Sequence, residues 1–276
     1  MSAATITQAH EAKPARSGHY KFSGLLASEW TKLRTVRSTM WTLGLTILIG
    51  VVLGALVTGV TRANWATMSP AKRAGYDPIG SSLTGVFFGM FTIGVLGALV
   101  MSGEYGTGTI RAVFCAAPRR PRVLAAKAVV FAAVALVISE ITSFASFFLG
   151  QAILTAPAPH AMIGSPGALR AVIAGGLYLC VMGLLALGLA TIIRHTAGAI
   201  SAFAAILLLV PVIIQQLPSS LDNDLARYTP LRIGVTAISG PPQPNTFSPW
   251  TGIAVLFVYA VVLLVIGGAI LVTRDA

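Results

Sequence analysis

Acidic residues are scarce in this chain: eight Asp and Glu stand among 276 residues, against nineteen Lys and Arg. Charged residues of both signs make up 10% of it, where a soluble domain carries roughly 25%. The chain is long enough to bury a core, but it has too little charge to clothe one for water. Cysteine is nearly absent too. Cys115 lies in a polar segment and Cys180 inside an apolar block. The two are not expected to share a compartment, so no disulfide is expected. Neither has CxxC or metal-ligand spacing, and both read as small apolar fillers. No GxxxxGKS or GxxxxGKT stretch occurs, which excludes a P-loop nucleotide site. HExxH, GxSxG and an intramembrane Asp pair are also missing, which argues against the commoner membrane hydrolases. The net charge of +11 would suggest nucleic acid on a soluble protein, yet no recognised nucleic-acid module is present.

What is present is apolar surface in long blocks. Hydrophobic residues make up 55% of the chain and the mean hydropathy is +0.83. Six blocks can be drawn: residues 41–60, 82–101, 123–154, 171–193, 197–216 and 250–273. At about 1.5 Å per residue a block of this kind crosses the ~30 Å hydrocarbon core. Lipid demands that backbone groups be satisfied within the segment, and no period-two alternation points to a barrel. The expected fold is all-α, a polytopic membrane protein with six transmembrane helices. The third block is longer than a straight span needs. It contains Lys127 and Glu140, and is expected to be tilted, broken or projecting. Pro211 falls inside the fifth.

The basic residues set the orientation. An even number of spans puts both termini on one side, and that side carries thirteen Lys and Arg against six on the other. Positive charge is retained in the cytoplasm, so both termini and the 102–122 loop are expected there. The first 20 residues are polar and expected to be mobile; the first apolar block is expected to act as an uncleaved insertion signal. Residues 21–40 then form an amphipathic helix, and residues 41–276 the six-helix domain. The outer loop 217–249 is expected to hold short surface or partly re-entrant helices, stopped by Pro241, Pro242, Pro244 and Pro249.

Three stretches can carry chemistry. In the first, Phe22, Leu25, Leu26, Leu33, Val36 and Met40 share one helical face, as expected of a helix lying on the membrane surface. Glu29 falls among them. It either pairs with Lys32 one turn on or contacts another cytoplasmic element. In the second, GEYGTGTIRAVFCAAPRRPR, the residues Ile110, Val113, Phe114 and Ala117 share a face over Thr109 to Ala117, and Pro118 ends the pattern. Gly103, Gly106 and Gly108 let the chain turn, and Thr107 or Thr109 can cap the helix start. This is a positive-inside loop or a dock for a cytoplasmic partner. In the third, Ser139, Glu140, Ser143, Ser146, Gly150 and Gln151 form a polar arc on one membrane helix. Glu140, Ser143 and Gln151 are either packing groups or part of a substrate path. Gly50 with Gly54 and Gly85 with Gly89 make GxxxG spacings that read mostly as close packing. His195 is alone, so no metal role is expected.

The order of SEWTKLRTVRSTMW, EYGTGTIRAVFCAAPRRPRVLAAK and IIRHTAGAI resembles permease subunits of bacterial ABC-2 type transporters over nearly the whole chain. The resemblance implies a six-helix transmembrane domain in the bacterial cytoplasmic membrane. It works as a pair, with a second copy or a paralogue, and with two copies of a separately encoded ATPase. It implies a connecting helix holding Glu29, Trp30, Lys32 and Arg34. It also implies a coupling region holding Glu104, Tyr105, Gly106, Thr107, Gly108, Thr109, Ile110 and Arg111. The chain itself then has no cofactor and is not an enzyme; ATP and Mg belong to the partner ATPase. On this reading the chain is the permease of an ATP-driven exporter. The alternatives are a non-transporting assembly or regulatory subunit that recruits cytoplasmic partners, and a membrane enzyme centred on Glu140.

Overall fold

The computed structural model describes residues 21–110 and 119–273, apart from the side chains of Ser219, Ser220 and Asn223. Every regular element among them is helical. The chain begins with α1 (Phe22–Thr35), then α2 (Arg37–Ala63), a 3-10 turn at Trp65–Thr67, α3 (Pro70–Ala74), α4 (Pro78–Ser82) and α5 (Gly85–Gly106). It continues with α6 (Arg120–Ile153), α7 (Ala168–Ile193), α8 (Thr196–Ile214), α9 (Ser219–Ala226), α10 (Pro230–Ile238) and α11 (Pro249–Thr273). Six of these helices are long and apolar enough to cross a membrane: α2, α5, α6, α7, α8 and α11. The all-α, six-span expectation is therefore met.

The residues 21–40 do not make one helix. Val36 is extended, with φ −77° and ψ 112°, and separates α1 from α2. Val36 thus takes the turn between α1 and the first membrane span. The third span has the opposite character. Its 34 residues are unbroken, about 51 Å of helix, longer than a straight crossing of the ~30 Å core needs. Pro211 sits inside α8 without ending it.

α7 is the centre of the bundle. Of its most apolar window 83% is buried, against 22% for α8 and 28% for α2 and α11. It packs on α5, α6 and α11. Small residues set how near the outer helices come. On α2 the buried stripe is Thr39, Leu43, Thr46, Gly50, Gly54, Thr58 and Thr61, a helical repeat in which all but Leu43 are small. A Cβ on Gly85 of α5 would overlap the Gly50 carbonyl oxygen. The Gly50/Gly54 and Gly85 spacings thus serve helix crossings inside the subunit.

On the face opposite α1, α10 lies across the bundle end. It buries Ile233, Gly234, Ala237 and Ile238, and the Thr229 hydroxyl accepts from the Arg232 N–H at its start. Asp77 holds its far end, accepting from the Gly240 N–H at 2.8 Å, while Arg170 donates to the carbonyls of Ser239 and Gly240.

Candidate functional site

Four charged side chains from three helices meet where α1 crosses the bundle. Glu29 is one of only two buried residues on α1, the other being Leu33 one turn on. Lys32 lies beside it on the same helix. Glu104 stands near the end of α5, and Lys127 closes the second turn of α6. The Lys127 ammonium donates to Glu29 Oε2 at 2.7 Å and to Glu104 Oε1 at 2.8 Å. The Lys32 ammonium donates to Glu29 Oε1 at 2.6 Å and to Glu104 Oε1 at 2.8 Å. Charges alternate around the ring, and it is neutral in sum.

Burial makes this ring unlike a surface ion pair. The Lys127 side chain is 3% exposed and that of Glu29 5%. Each buried ion costs several kcal/mol of desolvation, which only close, multiply bonded partners offset. Lys32 is the most open member, with a side chain 36% exposed. Burial works against its charge, but hydrogen bonds to Glu104 and Glu29 outweigh that, and its pKa stands above the ordinary lysine value. Glu104 Oε2 is buried and has no hydrogen-bond partner.

Glu29 pairs with Lys32, though buried rather than solvated, and also reaches Lys127 on α6. Sequence reasoning noted Lys127 without giving it a role. The available signal was a lysine inside an apolar helix, which lipid tolerates only with a partner. The other connecting-helix residues point elsewhere: Trp30 is 51% exposed, and Arg34 is exposed.

The coupling stretch is described as far as Ile110. Gly108 takes φ +70°, a left-handed turn open to glycine. The hydroxyls of Thr107 and Thr109 lie 2.9 Å apart, both exposed, Gly106 is exposed, and Ile110 is buried in the core. Arg111, Val113, Phe114 and the rest of the expected short helix lie outside the described residues. The Tyr105 ring carries the Arg194 guanidinium 5.5 Å from its centroid. Thr196 donates to Ser102 at 2.9 Å, so the IIRHTAGAI turn abuts the same end of α5. His195 Nδ1 accepts from the Gly198 N–H and caps α8. No metal-binding group of three or more His, Cys, Asp or Glu exists among the described residues.

The polar arc of α6 divides. Ser143 donates to the Val172 carbonyl at 2.7 Å, and Ser146 to that of Ser82 at 2.6 Å. Gln151 donates to the Pro78 carbonyl and the Ser82 hydroxyl, and accepts from the Ala161 N–H. These groups join α6 to α4 and α7. Glu140 stands apart. It is partly exposed, its carboxylate lies against Gly176, and its Oε2 has no hydrogen-bond partner.

A search of curated proteins returns no match to this chain. A protein-family model described as "ABC-2 family transporter protein" matches residues 25–214. That span holds most of α1, the first five membrane helices and all four members of the charged ring. It covers more than half of the chain, which therefore belongs to the ABC-2 family of transporter proteins and is a multi-pass membrane permease component of an ABC transporter.

Proposed function

We propose that this permease is half of an ATP-driven exporter, and that the Glu29–Lys32–Glu104–Lys127 ring joins it mechanically to its ATPase. The observation that carries the reading is the ring itself, which ties a surface helix to the ends of two membrane helices through four short charged bonds. Three helices bonded in this way shift together. The segment leaving α5 at Gly108 is the dock, with Thr107, Thr109, Ile110, Arg111, Val113 and Phe114 at or beside the contact. The face carrying α1 is cytoplasmic, as the excess of Lys and Arg on that side supports.

The ATPase is a separate protein present in two copies, and it binds ATP and Mg. A second permease copy or a paralogue completes the transmembrane pathway. ATP binding closes the ATPase pair, pushes the dock, and moves α1, α5 and α6 as one body. The cargo is hydrophobic or amphipathic and moves outward. Glu140 is the group best placed to meet it, because Ser143 and Gln151 are already bonded within the subunit.

The test is co-expression with the cognate ATPase and measurement of its stimulated turnover in membranes. Glu104→Ala and Val113→Pro are expected to insert and fold, yet to lower stimulation several-fold. Unchanged stimulation in both variants overturns the coupling assignment. A Glu140→Gln variant with full transport removes Glu140 from the path.

A further inference from the structure

Beside the charged ring, under the elbow between α1 and α2, lies a cavity of about 480 Å³. Leu33, Val36, Leu96, Leu99 and Val100 give it an aliphatic lining. Its other end is polar, lined by all four ring members and by Ser38, Thr39, Thr107 and Thr109. Lys32 is the open member of the ring: its side chain is 36% exposed, against 3% for Lys127, 5% for Glu29 and 13% for Glu104. The ring thus turns a cation toward the opening.

The surroundings have the same sign. Arg34 and Arg37 flank the elbow, both are exposed, and neither has a carboxylate partner among the described residues. Trp30 and Trp41 are 51% and 80% exposed, as aromatic anchors at a membrane interface are. A cationic mouth over an aliphatic interior, at the depth where the spans begin, complements an amphiphile with a negative head. Charge disfavours a cationic lipid, and the aliphatic lining gives free phosphate nothing to bind.

We propose that this cavity between α1, α2 and α5 holds one anionic phospholipid, its phosphate at Lys32 and the two threonine hydroxyls and an acyl chain along Leu96, Leu99 and Val100. The claim concerns binding, and it stands or falls independently of ATPase coupling.

The test uses the full chain in phosphatidylcholine nanodiscs and a phosphatidylglycerol probe with a photoreactive group in its acyl chain. Labelling is expected within residues 33–39 and 96–109. It should fall about tenfold, equivalent to ~1.4 kcal/mol, in Leu99→Trp, which fills the cavity from its aliphatic side. The paired Thr107→Val, Thr109→Val variant removes two exposed hydroxyls and should also lower labelling, which keeps the test valid if Leu99→Trp does not fold. A phosphatidylcholine probe should label weakly, and inorganic phosphate should not compete. Equal labelling by phosphatidylcholine, competition by inorganic phosphate, or labelling unchanged in the folded variants overturns the proposal.

Discussion

Lys127 is the residue on which the ring depends. It is 3% exposed and bonds both carboxylates. Replacing it by Met leaves Glu29 and Glu104 sharing the single ammonium of Lys32. Breaking a buried pair in this way costs about 3–5 kcal/mol, and the expected outcome for Lys127→Met is a large fall in thermal stability of the purified protein. Adding Glu104→Gln should recover part of that loss, because the partners are coupled by roughly 0.5–3 kcal/mol; a strictly additive pair contradicts the ring. The sign of the pH dependence follows from Lys32. Its folded pKa is raised above 10.5, so its contribution is complete below that value and is lost as pH rises through the folded pKa. Stability across the neutral range is therefore expected to be insensitive to Lys32. The sequence displayed Glu29 on an apolar face, which suggested a partner, and Lys127 inside an apolar run, to which no role was given. It could not pair them: Glu29 and Lys127 are 98 residues apart, and only the packing of α1 on α6 brings them together.

At the scale of elements, the six spans were legible because lipid enforces long uncharged helices, and α6 was legible as overlong. The break at Val36 was not, since no proline or glycine marks it. The close crossing of α2 and α5 was visible only as a pair of GxxxG spacings. Its consequence is specific: Gly85→Val would drive a side chain into the Gly50 carbonyl, and overpacking of this kind costs about 1–3 kcal/mol or more. Gly59→Ala, whose Cβ meets only an Ile153 methyl at 3.9 Å, is the neutral control. Monodisperse yield in size-exclusion chromatography should fall for the first and hold for the second. On the opposite face, Asp77→Ala removes the acceptor for both Ile79 and Gly240 N–H groups. The 230–240 segment is expected to become more open to protease, with the membrane helices unaffected.

For the whole molecule, charge asymmetry and span number yield a topology. Tags on either terminus are expected to be reached only from the cytosol, and a tag within residues 217–229 only from outside. Composition already indicated a membrane protein, and the match over residues 25–214 places it in the ABC-2 family. What the sequence displayed as separate features, a surface helix and a polar loop between spans, the fold joins through one charged ring. The most direct measurement of that account is the stimulated turnover of the co-assembled ATPase with Glu104→Gln, a change that keeps side-chain shape and removes one charge. The account predicts normal insertion, normal co-purification and stimulation reduced several-fold, as for Glu104→Ala. Wild-type stimulation in a fully assembled Glu104→Gln complex would contradict it.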